Sequence, residues 1–334
     1  MPLSSLTGQG RLKKILAEEA RERHSGTYIF AGAKGMGKHS FAEEFAKALM
    51  CEDPGEDGAC GKCKCCNYFE GGTTPDIVRT DAPADGKMIP VADVREKIVA
   101  DSFVKPQFSR NKVFIINMDY IAEAGQNALL KSIEEPPANV AFILLSSLEG
   151  NVLDTVLSRS TMLKIARYTE DEVYEILKSH DAPGDEDMLR TICAYCGGNP
   201  GRALAMTSDD SFITLNKEVT DLLLGLADDS YTDILTEGSA FFAENKADSG
   251  LIIEMIFKVL GDILMYSTYP DREAKTETAS RIRKFALEHR NINSVSIGRC
   301  KSAVTEFVKS MSVNANYDGA CCALMIKIHE EFKK

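Results

Sequence analysis

The stretch GAKGMGKH, residues 32–39, decides the fold of this 334-residue chain. It follows the phosphate-loop pattern G-x-x-x-x-G-K-[ST], in which a glycine-rich turn wraps a phosphate, a lysine reaches its outer oxygens, and a hydroxyl holds Mg²⁺. The residues that form the phosphate cradle are Gly32, Gly35, Gly37 and Lys38. His39 stands at the hydroxyl position, and Ser40 does not replace it, because one residue along a helix turns a side chain by about 100°. The motif therefore predicts a P-loop fold with an altered metal position.

The residues on either side of this motif supply the strand and the helix that a P-loop requires. Residues 28–31 (YIFA) form a short apolar run before it. After it, residues 40–50 place Phe41, Phe45 and Leu49 on one face of a helix. A strand, a glycine turn and a helix in this order favour a true P-loop over an accidental glycine turn.

Two further apolar runs, residues 113–116 (VFII) and 140–145 (VAFILL), have the pattern of strands in a parallel sheet that is covered on both faces. A helix is predicted between them over residues 124–135, and Pro136 and Pro137 end it. The first half of the chain is therefore predicted to be α/β.

The second half of the chain has helical periodicity. Thr169 and Glu172 have the spacing of a capping box, which predicts a helix start. The other predicted segments are helices at residues 186–196, from 201, at 252–266 and at 294–310, with a linker at 207–211. We find no strand signal in this half, which is therefore predicted to be all-α.

Five of the ten cysteines lie between residues 51 and 66, in a chain too large for a small disulfide scaffold. Cys51, Cys60, Cys63 and Cys66 have the spacing C-x8-C-x2-C-x2-C, and C-x2-C turns supply the thiolates of tetrahedral zinc sites. Four thiolates leave no open position for water, so the pattern predicts a structural zinc. Cys65 breaks the two-residue spacing and is the spare thiol. The alternative is a set of redox-active or merely buried thiols.

The overall charge limits the classes of function. A formal net charge of −11 argues against a protein that grips DNA or RNA alone, because counterion release needs a dense array of lysine and arginine. The first residues, MPLSS, do not resemble a signal peptide. The apolar stretch at residues 251–265 is interrupted by Glu254, Lys258 and Asp262. We therefore expect a cytoplasmic protein that is not inserted in a membrane.

The chain resembles the clamp-loader subunits of bacterial DNA polymerase III, which are AAA+ ATPases. The combination that suggests this is a cysteine module between the P-loop helix and the next strand, in an α/β domain followed by a small helical domain. The similarity covers essentially the whole chain. The strings that carry it are Gly8-Gln9, residues 24–38, residues 126–137 (QNALLKSIEEPP), Ser158-Arg159-Ser160 and residues 198–203 (GNPGRA).

The resemblance implies three domains. They are an AAA+ α/β domain over residues 1–166 with a zinc module at about 51–72, a helical lid over residues 167–208, and an all-α collar domain over residues 212–334. In the family, collar helices of several subunits form a ring. The apolar residues between 252 and 263 suit either such a ring or a self-contained bundle.

The resemblance also implies roles for individual residues. In a working AAA+ site, acidic residues at a strand end hold Mg²⁺ and activate water. Here the strand at 113–116 ends in Asn117-Met118-Asp119, so Asp119 is at most the one acid that remains. Together with His39, this predicts weak or absent ATP hydrolysis and leaves open whether ATP and Mg²⁺ bind without turnover. Arg202 matches the family's sensor 2.

Arg159 matches the finger arginine of the family's Ser-Arg-Cys element, which reaches into the ATP site of a neighbouring subunit. The alternative is a solvated surface arginine. The implied partners are the delta and gamma/tau subunits and, through the complex, the sliding clamp and primed DNA. A subunit with an altered site of its own and an intact finger is expected to assist a neighbour's hydrolysis within the polymerase holoenzyme.

Two other functions remain open. One is the ATP-hydrolysing gamma/tau motor subunit of the same loader, which would keep a hydroxyl at position 39 and an acidic strand end. The other is a free-standing P-loop zinc protein, either an enzyme or a nucleic-acid binder. The acidic net charge weakens the binder, and the altered metal position weakens the enzyme.

Overall fold

The computed structural model describes residues 3–22, 25–80, 83, 86–147, 151–208, 210–312 and 316–334, which divide into two compact units. The first comprises Met1–Ser179 with Gly198–Arg202, and the second comprises His180–Gly197 with Ala203–Lys334. The expected lid over residues 167–208 is thus divided between the two units, and its existence as a separate domain stays a prediction. His24 and Asp209, which belong to stretches singled out in the sequence, lie outside the described residues.

A five-stranded parallel sheet forms the centre of the first unit. Its strands are β1 (Gly26–Ala31), β2 (Ile77–Thr80), β3 (Lys112–Asn117), β4 (Val140–Ser146) and β5 (Thr161–Lys164). They lie in the order β2-β3-β4-β1-β5, with Ala31 beside Ser146 of β4 and Lys164 of β5. Because the strands are parallel, their carboxyl ends share one edge of the sheet, and the phosphate loop leaves β1 at that edge.

The three strands predicted from apolar runs, β1, β3 and β4, are confirmed. They occupy the interior of the sheet, and β4 is buried at every position. The strands β2 and β5 were not predicted. Both are four-residue edge strands with partly exposed positions, so neither has the continuous apolar run that marks a buried strand.

Helices cover the sheet of the first unit. They are α1 (Gly10–Glu22), α2 (Lys38–Met50), α3 (Lys64–Glu70), α4 (Val91–Asp93), α5 (Glu123–Glu134), α6 (Asp154–Leu157) and α7 (Glu170–Ser179). The predictions at residues 40–50 and 124–135 correspond to α2 and α5. The predicted capping box is present at α7, where Glu172 N donates to Thr169 Oγ1 at 3.2 Å and Thr169 N donates to Glu172 Oε2 at 2.8 Å.

The core beneath the sheet is built from the apolar faces that the sequence displays. Phe114 of β3 stacks on Phe142 of β4 with ring centroids 5.2 Å apart, and Leu129 and Ile133 of α5 belong to the same buried cluster. Burial of these large side chains is the main free-energy source that holds α5 against the sheet.

The described residues of the second unit form helices and no strand. The helices, including the one that begins in the first unit, are α8 (Glu186–Tyr195), α9 (Pro200–Met206), α10 (Asp210–Gly225), α11 (Tyr231–Asp233), α12 (Ser239–Glu244), α13 (Ser249–Thr268), α14 (Glu277–Glu288), α15 (Ser294–Ser312) and α16 (Tyr317–Lys333). The all-α prediction for this half therefore holds beyond β5. Since α10 begins at Asp210, the linker expected at 207–211 is shorter than predicted.

The broad apolar face of α13 is covered by its own unit. This helix packs against α10, α14 and α15. Six of its apolar residues are at most 1% exposed: Ile252, Met255, Ile256, Val259, Leu260 and Ile263. Neighbouring helices of the same chain therefore account for these residues, and this face does not require a second subunit.

None of the described helices combines the length and the apolar composition that crossing a membrane requires.

Candidate functional site

The phosphate loop packs backbone to backbone against the segment that starts α9. Gly35 has a φ of +88°, and a Cβ there would lie 2.6 Å from Asn199 Oδ1. Gly201 N donates to Gly35 O at 2.9 Å, and a Cβ on Gly201 would lie 2.5 Å from Gly35 Cα. Asn199 Nδ2 donates to Lys34 O at 2.8 Å. Only glycine permits this approach at both positions, so the two segments hold each other in place.

Lys38, the phosphate-binding lysine of the motif, is turned back onto its own loop. Its ammonium donates to Gly32 O at 2.6 Å, Ala33 O at 3.0 Å and Ser147 Oγ at 3.1 Å. The residue is only 8% exposed. Burial lowers the pKa of this ammonium, and the nearby carboxylate of Asp119 partly offsets the effect. A phosphate must therefore compete with three oxygen acceptors for Lys38.

The metal side of the phosphate loop offers few oxygen ligands. His39 and Ser40 lie in the first turn of α2 and are exposed. Asp119 accepts the N–H of Ser147 with its two oxygens, at 2.9 and 3.2 Å, and Asn117 Oδ1 accepts from Asp119 N at 3.2 Å. Mg²⁺ prefers oxygen ligands, and an imidazole stands where a hydroxyl is needed. This donor set does not fit a Mg²⁺ ion held as in a working P-loop enzyme.

Ser147 connects the phosphate loop to the end of β3, and sequence reasoning missed it. Its hydroxyl accepts from Lys38 and its N–H donates to Asp119. It directly follows β4, the strand beside β1. The polar pair Ser146-Ser147 directly after the apolar run at 140–145 was the available signal, because it falls at the carboxyl edge of the sheet.

Arg159 lies just after α6 and is ordered by the chain around it. Nη1 donates to Thr155 O at 3.0 Å, and Nη2 donates to Glu134 Oε1 at 3.2 Å. Gln126 fixes the backbone that leads to α6, because its Oε1 accepts from Leu153 N at 3.0 Å. The Arg159 side chain keeps 34% of its surface exposed. Arg159 is thus partly exposed and paired within its own chain, and the finger role stays a prediction.

Two other residues from the family strings lie near the loop segments described above. Arg202 is exposed in the first turn of α9, and its backbone N donates to Asn199 Oδ1 at 3.1 Å. Gln9 forms two hydrogen bonds with the backbone of Ala166, donating to its O at 2.7 Å and accepting from its N at 3.2 Å. Gln9 thus ties the start of the chain to the segment after β5.

The four cysteines predicted to bind zinc converge. The Sγ atoms of Cys51, Cys60, Cys63 and Cys66 all lie within 4.8 Å of one another. The Cys51–Cys63 and Cys60–Cys66 sulfur separations are 3.9 and 4.0 Å. Tetrahedral zinc with Zn–S bonds of about 2.3 Å places its sulfurs about 3.8 Å apart. The cluster therefore fits Zn²⁺ in geometry as well as in ligand type.

Backbone N–H groups point at these sulfurs and favour the thiolate form that a metal needs. Cys60 N donates to Cys51 Sγ at 3.3 Å, and Cys63 N donates to Cys60 Sγ at 3.4 Å. The backbone N–H of Lys62, aided by that of Cys63, lowers the pKa of Cys60 to about 7 against the effect of burial. Burial raises the pKa of Cys51.

Cys65 lies outside this group of four and supports a neighbouring loop. Its buried Sγ donates to Phe108 O at 3.2 Å. The Phe108 ring lies 5.6 Å from the ring of Tyr68 in α3. Burial raises the pKa of Cys65 to about 11, so this thiol stays protonated and can donate its hydrogen. The spare cysteine thus links the cysteine module to the loop before β3.

The strand order, the phosphate loop between β1 and α2, and a four-thiol cluster directly after α2 define the class: a P-loop α/β protein of the AAA+ type with a candidate metal centre. Residues 8–169 match the family model described as DNA polymerase III, delta subunit. Over this part of the chain the sequence is similar to the clamp-loader subunits of bacterial DNA polymerase III.

The relatives carry the names of different subunits. DNA polymerase III subunit tau of Bacillus subtilis is 27% identical over 294 residues, which are 81% of this chain and 51% of that protein. Subunit tau/gamma of Haemophilus influenzae is 30% identical over 70% of this chain and 35% of that protein. Subunit delta' of Pseudomonas aeruginosa is 36% identical over 54% of this chain and 55% of that protein. The chain thus spans about a third to just over half of these relatives.

A gamma-subunit-related protein of DNA polymerase III from Thermotoga maritima has a solved structure that covers 97% of this chain and 100% of its own, with a TM-score of 0.41 at 16% identity. No functional conclusion follows from a likeness at this level.

Proposed function

We propose that this chain is the delta-prime type of clamp-loader subunit, which assembles with delta and gamma/tau subunits in the cytoplasm and helps to load the sliding clamp on primed DNA. The contrast between two sites carries the proposal. At the phosphate loop, position 39 offers no hydroxyl, and both oxygens of Asp119 already accept from Ser147 N. Arg159, in contrast, is held in place by a hydrogen bond to Thr155 O and keeps 34% of its side-chain surface exposed. This combination suits a subunit that supports a neighbour's ATP hydrolysis and hydrolyses little ATP itself.

In this proposal the chemical contribution of the chain is the guanidinium of Arg159. During phosphoryl transfer, negative charge spreads over the oxygens of the γ-phosphoryl group, and an arginine supplied in trans accelerates the step by roughly 10³- to 10⁵-fold. The delocalised charge of a guanidinium and its planar donors match such oxygens. Arg202 is assigned to the sensor 2 position beside the phosphate loop, where no turnover is expected.

The zinc in this proposal is structural. The segment between α2 and β2 contains α3, a helix of only seven residues, and so has little secondary structure of its own. Binding of a structural zinc contributes on the order of 10 kcal/mol to the folding of such a module. We also propose that the three-domain organisation, with a lid over residues 167–208 and a collar over 212–334, describes the working subunit.

The gamma/tau motor subunit is the second candidate, because the tau relative from B. subtilis aligns over 81% of this chain and the delta' relative over 54%. A motor subunit hydrolyses ATP through its own metal site. His39 and the engagement of Asp119 by Ser147 oppose that function here.

The deciding experiment is ATPase measurement on the purified chain and on the loader reconstituted with its partner subunits, clamp and primed DNA. We expect the purified chain to have little activity. Replacement of Arg159 by alanine should reduce turnover at the one neighbouring site by about 10³-fold or more. Arg167→Ala, which removes an exposed arginine eight residues away, is the matched control and should leave turnover unchanged.

Two results would overturn the proposal. Turnover by the purified chain at the rate of a motor subunit would favour the gamma/tau alternative. Equal activity of the Arg159→Ala and Arg167→Ala complexes would remove the finger assignment.

A further inference from the structure

The finger candidate Arg159 is already occupied by a carboxylate of its own chain. Arg159 Nη2 donates to Glu134 Oε1 at 3.2 Å, and Nε lies 3.2 Å from Glu134 Oε2. The remaining nitrogen, Nη1, donates to Thr155 O at 3.0 Å and to Ser158 Oγ at 3.3 Å. All three guanidinium nitrogens are thus engaged within the chain. The edge that Glu134 occupies is one that a phosphate would grip with two parallel hydrogen bonds.

The position of Glu134 explains why the pair forms. Glu134 is the last residue of α5. The carboxyl end of a helix carries a partial negative charge, so an acidic side chain is disfavoured there unless a cation lies beside it. Arg159 supplies that cation. In the unassembled chain, the ion pair therefore stabilises both charged side chains relative to either one without its partner.

The pair is nevertheless weak enough to open. The side chains of Arg159 and Glu134 are 34% and 53% exposed, so water and salt screen their attraction. A nucleoside triphosphate carries several negative charges, whereas the Glu134 carboxylate carries one. It therefore competes effectively for the same guanidinium edge.

We propose that Glu134 is a latch on the finger arginine. In the unassembled subunit it holds the Nε–Nη2 edge of Arg159, and the terminal phosphate of a neighbour's nucleotide displaces it when the ATP site between the subunits closes. The inference rests on the proposed function, since it takes Arg159 as the finger. It adds that finger engagement must break an ion pair within this chain.

The test compares Glu134→Gln with Glu135→Gln in the reconstituted loader. Both substitutions remove one negative charge at the end of α5, and Glu135 is exposed beside the latch residue. The Glu134→Gln complex should show a KM for ATP about two- to five-fold lower than that of the Glu135→Gln complex. This factor is the equilibrium constant expected for an exposed ion pair. The kcat of the Glu134→Gln complex should be equal or higher. In the Arg159→Ala background, Glu134→Gln should have no further effect on KM.

The ion pair itself is observable in the isolated chain. In ¹⁵N NMR, the Nε–H signal that Arg159→Ala removes should exchange slowly with water in the wild type and in Glu135→Gln, and faster in Glu134→Gln. An equal KM in the two glutamine variants would overturn the latch. A fall in kcat with Glu134→Gln would also overturn it, because Glu134 would then position the finger during catalysis. If Arg159→Ala itself leaves turnover unchanged, the proposed function fails instead.

Discussion

Replacement of Asp76 by asparagine is expected to release the loop that supports the cysteine module. Asp76 is 1% exposed and precedes β2. Its Oδ1 accepts from Gln107 N at 2.7 Å, and its Oδ2 accepts from Phe108 N, Ser109 N and Ser109 Oγ, each at 2.8 Å. These bonds hold Phe108 where its carbonyl accepts from Cys65.

The size of the effect follows from the donor count. Asparagine can place its one oxygen at the Oδ2 position and keep three of the four bonds, but its amide then faces Gln107 N–H. An orphaned buried donor costs about 1–3 kcal/mol. The three surviving bonds lose their charge, at about 1 kcal/mol each. We therefore expect local destabilisation of about 4–6 kcal/mol, which is about 10³- to 10⁴-fold in the local opening equilibrium.

Hydrogen–deuterium exchange of a peptide spanning residues 105–112 measures this opening directly. Ser109→Ala, which removes a hydroxyl that lies within hydrogen-bond distance of Asp76 Oδ2 and of Asn111 O, is the graded control at about 1 kcal/mol. An exchange rate for the Asp76→Asn peptide within ten-fold of the wild-type rate at neutral pH would refute the reasoning.

The same pair of proteins should show a defined pH dependence. Burial raises the pKa of Asp76, but the hydrogen bonds from Gln107, Phe108 and Ser109 outweigh burial, so the pKa lies below its usual value. A depressed folded-state pKa means that the stabilisation is present above the unfolded value of about 4 and is lost as the pH falls through the folded value. The stability difference between wild type and Asp76→Asn should therefore shrink only below about pH 4.

Two further predictions concern the cysteines and the phosphate loop. Metal analysis should find about one zinc per chain, which Cys63→Ser should lose and Cys65→Ser should keep, since Cys65 lies outside the four-thiol cluster; retention of zinc by Cys63→Ser would contradict the site. Gly201→Ala should destabilise the protein by about 1–3 kcal/mol in thermal unfolding, because its Cβ would lie 2.5 Å from Gly35 Cα. Gly298→Ala is the control, since this helical glycine has open space around it and alanine there should stabilise slightly; equal melting temperatures for the two variants would show that the loop contact carries no strain.

Features coded by neighbouring residues were predictable. The phosphate loop needs glycines and a lysine within eight residues, and the cysteine cluster needs four thiols within sixteen, so local spacing alone constrains both geometries. The interior strands can be recognised in the sequence, because a strand that is buried on both faces, as β4 is, has a nearly continuous apolar run. The edge strands β2 and β5 have partly exposed positions and therefore lack the continuous apolar run that would have predicted them.

The sequence by itself determined the class of fold, the cysteine ligand set and the alteration at His39, because each depends on residue types at short separations. Only the tertiary structure decided which partners the functional groups have. Lys38 bonds to Ser147, Gly35 touches Gly201, and Arg159 pairs with Glu134 across separations of 109, 166 and 25 residues. Such pairs are chosen by how strands and helices pack, since the free energy of burying whole elements, and not any local pattern, brings these residues together.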